Sequence, residues 1–363
     1  MSTVRAHSPL IDAIKAIAAQ LIVLHHLAWY GPMSDISADW FPLLGHWQDW
    51  LAEYGRYAVA AFLAVGGFLA AQTLPPGGLP AGKSPLCLIG QRYARLVGPY
   101  AVALVIVMVS AALARHWMTH DSIGAAPTLG QFVAHLFLLY DLLDYEALSA
   151  GVWYVAIDFQ LYVVLVGLLW LAGQLGCRLA SADFLGPLLV TLVGLGSLFH
   201  FNRDAAWDSN ALYFFGAYAL GVGSAWAARS AQPLRFLLLV GLVGTGALLI
   251  EFRERILIAL IIAMVLGMAQ QRPLPSGRNV LAHLGQTSYA LFLIHFPVCL
   301  IVNAAFQRFL PHTPGWSTVG VLVAWLASNL VALLFYRFVE AKIGARLAAW
   351  FSCRTGRPAR PAY

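Results

Sequence analysis

The stretch IDAIKAIAAQLIVLHHL, residues 11–27, decides how the chain folds, because it is apolar apart from Asp12, Lys15, Gln20 and two histidines. It is close to the roughly 20 residues that a helix needs to cross the hydrocarbon core of a bilayer. Lys15 and His26 are separated by three helical turns plus about 20°, so a helix places both on one face, about 16 Å apart along its axis. An ionisable side chain at that depth is a candidate functional residue.

Composition extends this interpretation to the whole chain. Of the 363 residues, 60% are hydrophobic and only 10% are charged, and the mean hydropathy is +0.74. This leaves too little polar surface for a soluble protein. We therefore predict an all-α polytopic membrane protein with about ten transmembrane helices. The predicted spans are 11–29, 57–76, 96–114, 152–174, 184–200, 211–229, 235–251, 256–270, 286–306 and 316–337.

An eleventh apolar stretch, 132–143, is too short to span comfortably and carries His135, Asp141 and Asp144 in or beside it. It is interpreted as a short re-entrant or interfacial helix. Ten spans place both termini in the cytoplasm, which agrees with the preference of basic flanks for that side. The basic residues near the termini are Arg5, Lys342, Arg346, Arg354, Arg357 and Arg360.

The rest of the composition excludes several other classes of protein. The net charge of +6 is spread over the loops, which favours membrane topology over nucleic-acid binding. The four cysteines, Cys87, Cys177, Cys299 and Cys353, show no pairing by spacing, so neither a structural disulfide nor a metal site is expected. We predict one membrane-embedded domain, 1–363, with its core at about 8–342 and a basic cytoplasmic tail at 343–363.

The segment 30–55, placed outside by this topology, mixes carboxylates with aromatic residues such as Trp40, Trp47, Trp50 and Tyr54. Such a mixture suits a sugar-binding surface. The alternative is the aromatic belt found at membrane interfaces, which is favoured for any single tryptophan.

Four local patterns occur in order along the chain: Lys15 with ten residues before His26, RYARLVGPY at 92–100, WYVAIDFQLY at 153–162 and GQTSYALFLIHFPV at 285–298. Together they resemble the acyltransferase-3 family of integral membrane acyltransferases, over about residues 8–342. The resemblance implies transfer of an acyl group, often acetyl, from a cytoplasmic acyl-CoA or similar donor to hydroxyls of sugars and other acceptors, commonly cell-surface glycans.

The chain departs from the family pattern at several positions. Lys15 stands where the family usually has arginine, which keeps the charge but loses the bidentate fork. Asp158 replaces the usual glutamate, and Gly66, in FLAVGGFL at 62–69, replaces a serine. Glu340 is followed by alanine and lysine, where lysine and proline are usual. A divergent subgroup with an unusual acceptor would fit these departures.

Acyl transfer to a hydroxyl needs a base that takes the hydroxyl proton, and a neutral imidazole does this well near physiological pH. His26 is the candidate base, and Asp158 is the carboxylate best placed by motif to orient it. The alternative for His26 is a buried structural histidine. For Asp158 the alternative is an ion pair that joins two helices. His25 lies about 100° around the helix and is assigned to packing or support.

The donor's phosphates are expected to bind Arg92 and Arg95, which lie three residues apart at the end of a span. The alternative is that this pair only anchors the topology. Lys15 and Arg337 are further candidates for the same anion-binding pocket. Acyl-CoA is expected to be a co-substrate rather than a permanently bound cofactor.

The remaining candidates are assigned to lining the site, with packing as the alternative. They are Trp153, Gln160, Tyr162, Tyr289 and His295. Tyr289 and His295 are six residues apart, so they point to different sides of their helix and need not share a role.

The resemblance therefore predicts a multi-pass acyltransferase of the cell membrane, whose partners are an acyl-CoA, a carbohydrate or other hydroxyl acceptor, and the bilayer. Direct transfer and a covalent acyl-histidine both remain open. A second hypothesis is a transporter or exporter of a glycan or lipid-linked sugar that uses the same intramembrane charges. The sequence contains no two-fold repeat of the kind many transporters have.

Overall fold

A computed structural model describes residues 8–176, 183–271 and 280–355. Throughout these ranges the regular structure is helical, without a β-strand. Arg5, Cys177, Arg357 and Arg360, which entered the topology and cysteine arguments, lie outside the described residues.

Nine helical segments in the described ranges are long and apolar enough to cross a membrane. They are Pro9–Trp29, Pro42–Ala71, Pro85–Ala114, Val152–Gly176, Leu185–Arg203, Ala211–Ala228, Pro233–Ile250, Ser288–Phe309 and Pro314–Leu347. Each contains one of the ten predicted spans or most of it. The predicted span 256–270 also forms a helix, Glu254–Ala269, but this helix has only 16 residues.

In chain order, the helices are α1 Pro9–Trp29, α2 Pro32–Ser37, α3 Pro42–Tyr54, α4 Val59–Ala71, α5 Pro85–Ala114, α6 Leu129–Leu136, α7 Val152–Gly176, α8 Leu185–Phe199, α9 Ala211–Ala228, α10 Pro233–Ile250, α11 Glu254–Ala269, α12 Val280–Gln286, α13 Ser288–Phe309, α14 Pro314–Phe335 and α15 Ala341–Thr355. A π-helical turn at Tyr336–Glu340 joins α14 to α15.

The segment 30–55 is more regular than its polar composition suggests. It contains α2 and α3, each with a proline in its first turn. Proline fits there because the first-turn N–H groups have no partner within the helix. A 3₁₀ turn at Gly55–Ala58 connects α3 to α4, so one helical run of 30 residues, Pro42–Ala71, includes the predicted span 57–76 up to its last turn.

The predicted short helix at 132–143 is α6, which ends at Leu136 and is followed by turns. Thr128 and Gln131 form a reciprocal capping box at its start. His135 is fully buried; its Nδ1 donates to Gln131 O at 2.8 Å and its Nε2 accepts from Leu148 N at 3.1 Å. Because both ring nitrogens have backbone partners, His135 ties α6 to the chain that follows it.

Contacts between residues divide the chain into two compact units, each built from three separate stretches of the sequence. The first unit comprises Met1–Ala18, Tyr57–Arg92 and Tyr154–Gly285. In it α9 packs against α4, α8, α10 and α11. At the crossing of α4 and α9, a Cβ on Gly67 or Gly221 would overlap a backbone carbonyl of the other helix. Glycine is therefore what allows these two helices to approach so closely.

The second unit comprises Ala19–Arg56, Tyr93–Trp153 and Gln286–Tyr363. In it α13 packs against α14, and both contact α2. Gln20 joins α1 to α14 through amide and indole hydrogen bonds: its Nε2 donates to Asn329 Oδ1 at 2.6 Å and its Oε1 accepts from Trp325 Nε1 at 2.7 Å. A polar residue in the apolar stretch of α1 is thus satisfied by a neighbouring helix, as a low-dielectric environment requires.

Candidate functional site: a histidine pair and a buried ion pair

Two histidines from distant parts of the chain meet inside the second unit. His26, in the last turn of α1, places Nδ1 2.6 Å from Nε2 of His295 on α13. Their rings are parallel within 6°, with centroids 4.9 Å apart. His295 is fully buried and His26 is 8% exposed. The predicted candidate base therefore has a specific side-chain partner.

The hydrogen bonds of His295 determine which nitrogen of each ring carries the proton. Nδ1 of His295 lies 3.0 Å from the carbonyl oxygen of Leu291, which can only accept, so Nδ1 is protonated. In a neutral ring Nε2 then has a lone pair and accepts, and the donor to it must be Nδ1–H of His26. His26 consequently presents an unprotonated Nε2.

Aromatic residues surround this histidine pair. The ring of Tyr30 lies 5.5 Å from that of His26 and meets Phe296 edge to face. On α13, the ring of Phe292 lies 6.3 Å from that of His295. Neighbouring His25 instead directs Nδ1 to Leu51 O at 3.0 Å, which joins α1 to α3. The environment is one in which a neutral imidazole is favoured over a charged one.

The first unit contains a second polar cluster, centred on an ion pair. Arg92 Nη2 of α5 lies 2.5 Å from Asp158 Oδ2 of α7. The Asp158 side chain is 7% exposed and that of Arg92 is 29% exposed. The guanidinium also lies over the ring of Tyr162, 5.5 Å from its centroid. Three of the predicted residues are therefore brought together, and Asp158 forms the interhelical ion pair that was its alternative assignment.

Two further residues belong to this cluster, and neither was among the predicted site residues. Tyr218 of α9 is 1% exposed, and its hydroxyl, like Arg92 Nε, is buried without a hydrogen-bond partner in the described chain. A Cβ built on Gly66 would lie 3.4 Å from both Asp158 Oδ1 and the Tyr218 ring. Gly66 thus lines the cluster at the position where the resemblance places a serine. A tyrosine in the apolar helix ALYFFGAYALG gives no local signal of this role.

A family model described as an acyltransferase domain, that of acyltransferase-3, matches residues 9–336, nearly the whole chain. The chain belongs to the acyltransferase-3 family. No curated protein and no solved structure gave a significant match. Membership, together with nine apolar helices in the described ranges, identifies a multi-pass membrane acyltransferase.

The residues predicted to bind the donor of this acyltransferase lie on α1, on α5 and in the turn after α14. Lys15 Nζ is 4.0 Å from Asp12 Oδ1 in the first turns of α1, with 26% of its side chain exposed. Arg95 lies one turn after Arg92 on α5 and is exposed. Arg337 lies in the π-helical turn that follows α14. Donor binding by these cations stays a prediction.

Among the predicted lining residues, Gln160 and Tyr289 have clear structural contacts. Gln160 Oε1 accepts from Ala211 N at 3.0 Å, which caps the start of α9. Tyr289 donates its hydroxyl to Leu96 O at 2.9 Å, while His295 on the same helix contacts His26. The two therefore have separate partners, as their spacing predicted. Trp153 lies half-buried in the first turn of α7.

Within the described part of the chain, no three His, Cys, Asp or Glu side chains are grouped so that they could hold a metal ion. Cys87 and Cys299 are free thiols.

Proposed function

We propose that this acyltransferase moves an acyl group, most simply acetyl, from a cytoplasmic acyl-CoA to a hydroxyl of a sugar or cell-surface glycan, in the cytoplasmic membrane. The observation that carries the proposal is the proton arrangement of the histidine pair, in which His26 donates from Nδ1 and presents an unprotonated Nε2. A free imidazole lone pair in an apolar site is what general-base catalysis of acyl transfer requires.

In the proposed step, Nε2 of His26 takes the proton of the acceptor hydroxyl as its oxygen forms a bond to the thioester carbonyl carbon. The tetrahedral intermediate then collapses, the carbon–sulfur bond breaks, and the proton passes from His26 to the leaving CoA sulfur. Oxygen replaces sulfur on the acyl carbon, and His26 returns to its neutral form. No oxidant, reductant or metal is needed for this balance.

His295 acts on this step through His26 rather than on the substrates. When His26 gains the proton, its Nδ1–H bond to His295 becomes charge-assisted, and such bonds are about twice as strong as neutral ones. The charge therefore gains a stabilising contact at the moment it forms. Because His295 is held by Leu291 O, it also keeps the proton of neutral His26 on Nδ1. We assign His295 as a positioning residue.

The donor is proposed to bind through cations on α5. Arg92 is already paired with Asp158, which holds its guanidinium in a fixed position, and 29% of its side chain is exposed. Arg95 is one turn away and exposed. Guanidinium groups suit the phosphates of a CoA because they donate in a planar fork. Asp158 serves in this proposal to orient Arg92, and Lys15 contributes a point charge.

The first test measures thermal unfolding of the detergent-purified protein with acetyl-CoA, longer acyl-CoAs and free CoA. A ligand that binds the folded state raises its apparent stability, by about 2.7 kcal/mol at one hundred times its Kd. We expect a CoA-dependent rise that is weakened in Arg92→Ala and Arg95→Ala. His26→Ala should show the same CoA-dependent rise in apparent stability, because this substitution removes the proposed base and leaves the donor contacts in place.

The second test follows transfer of labelled acetyl from acetyl-CoA to the glycan fraction of membranes that contain each variant. We expect His26→Ala to abolish transfer, and His25→Ala, which removes the neighbouring imidazole, to retain it. Retained transfer in a folded His26→Ala protein would rule out the assigned base. A protein that no CoA species stabilises would instead point to a transporter, or to a donor that is not a CoA ester.

A further inference from the structure

The first unit contains a large groove that the proposed chemistry does not use. Its volume is about 900 Å³, at the upper end of the range for small-molecule sites. It is lined by α8, α9 and α10 and by residues 71–76, and neither Arg92 nor Asp158 contributes to it. We refer to it as the α8–α10 groove.

The interior of the groove is apolar, and α9 forms its floor. Small residues of α9, Gly216, Ala219 and Gly223, line it together with side chains such as Leu195 of α8 and Leu239 of α10. Small residues leave room along a helix for a chain that lies parallel to it. Leu239 is exposed, so the groove wall continues into the apolar outer surface of the unit. Its interior therefore suits hydrocarbon.

We call the end of the groove where α8 begins and α9 ends its mouth; this end is polar and carries both signs of charge. Asp183 and Arg229 line it, together with Thr73 and Ser230. Trp226 also lines it and donates its indole N–H to Leu74 O at 3.1 Å. A tryptophan whose ring is apolar and whose N–H is bonded is typical of the level where a membrane meets water. The mouth is thus placed at headgroup level by its own chemistry.

The length of the groove fits a single leaflet. From Gly216 to Arg229 the floor helix and its end extend about 20 Å at 1.5 Å per residue. Half of a bilayer's hydrocarbon core is about 15 Å, which leaves about 5 Å for the backbone of a lipid below its headgroup. A second copy of this chain would bury the same apolar walls, and the crosslinking experiment below separates that occupant from a lipid.

We propose that the α8–α10 groove binds one phospholipid with a phosphoethanolamine headgroup, its acyl chains along α9, its phosphate at Arg229 and its ammonium at Asp183. A guanidinium matches a phosphate, and a carboxylate at the same mouth matches the ammonium while disfavouring a headgroup with net negative charge. This site is independent of the proposed acyl transfer, since it shares no residue with the histidine pair or the ion pair.

The test uses the detergent-purified full chain and thermal unfolding with 1-palmitoyl-2-oleoyl phosphatidylethanolamine, or with phosphatidylglycerol of the same acyl chains. We expect phosphatidylethanolamine to raise the unfolding temperature at about tenfold lower concentration than phosphatidylglycerol. Asp183→Asn should remove that preference, and Arg229→Gln should weaken both lipids about tenfold. Arg235→Gln is the matched control, because Arg235 is an exposed cation on α10 that does not line the groove and bonds Gln232.

Substitution inside the groove separates a lipid site from a general detergent effect. Leu195→Trp should fill part of the cavity and abolish the difference between the two lipids without changing the protein's unfolding temperature in lipid-free detergent by more than a few degrees. Equal stabilisation by both lipids in the unaltered protein would overturn the proposal. So would an unchanged response in Arg229→Gln, or a dimer in which Leu239→Cys crosslinks between copies while added lipid has no effect.

Discussion

Replacement of His295 tests whether the pair works as its geometry indicates. In His295→Leu, the Nδ1–H of His26 loses its acceptor in a buried site, at a cost of about 1–3 kcal/mol for an unsatisfied polar group. The fixed tautomer is lost at the same time. Since a positioned base contributes about 10²–10⁴ to rate, we expect kcat to fall by at least about a hundredfold while KM for the acyl-CoA stays near its original value.

His295→Gln is the matched variant, because a glutamine carbonyl oxygen can accept from His26 Nδ1–H and keep the proton on that nitrogen. We expect the kcat of His295→Gln to be at least tenfold higher than that of His295→Leu. The assay is initial-rate transfer of labelled acetyl to the acceptor, with thermal unfolding of each variant measured in parallel. If His295→Leu stayed within about threefold of the original kcat, or if leucine and glutamine behaved alike in equally stable proteins, the positioning role would be refuted.

Three further outcomes follow from the structure. Asp158→Ala should destabilise by about 3 kcal/mol in chemical unfolding, the lower end for a broken buried pair because Arg92 is partly exposed, and the double variant Arg92→Met with Asp158→Leu should recover most of it. Gly66→Ser should change stability by less than about 1 kcal/mol, since its Cβ meets ordinary contact distances, whereas Gly67→Ser should prevent folding because it overlaps a backbone carbonyl of α9. Burial lowers the pKa of His135 below its ordinary 6.5. The stability that neutral His135 contributes is therefore complete above about pH 6.5 and is lost as the pH falls. The unfolding temperature should drop between about pH 7 and pH 5, and His135→Gln should make that drop smaller.

The membrane helices could be predicted from sequence because length and hydropathy are local properties. The predicted span 57–76 shows the limit of such local properties. The helical run that contains it begins at Pro42, but the polar residues between Pro42 and Tyr54 lower the hydropathy there, so the sequence did not predict this earlier start. The polar side chains do not end the helical run, because the 3₁₀ turn at Gly55–Ala58 connects α3 directly to α4. The helix Glu254–Ala269 matches the predicted span 256–270 to within two residues at each end, but its 16 residues are fewer than the roughly 20 of a full span.

The candidate site could be predicted only in part. His26, Arg92 and Asp158 were named from motifs, but the partner of His26 lies 269 residues away in the chain, and no pattern within either helix says which helices pack together. The motifs predicted that a carboxylate, Asp158, would orient the His26 ring. In the second unit, the hydrogen-bond partner of His26 Nδ1 is instead His295 Nε2. Tyr218 and Gly66 were not assigned to the site because a tyrosine and a glycine are common in apolar helices, and only packing brings them beside Asp158.

A histidine partner suits the proposed role of His26 as a base inside a membrane. A carboxylate would orient the imidazole equally well, but it would bring a permanent charge into a low-dielectric site, which costs several kcal/mol unless another charge compensates it. Two neutral imidazoles fix the same tautomer with no net charge. In the first unit, by contrast, Asp158 is neutralised by Arg92. In the proposed mechanism, charge in the histidine pair therefore arises only while His26 holds the substrate's proton, when the hydrogen bond to His295 is strongest.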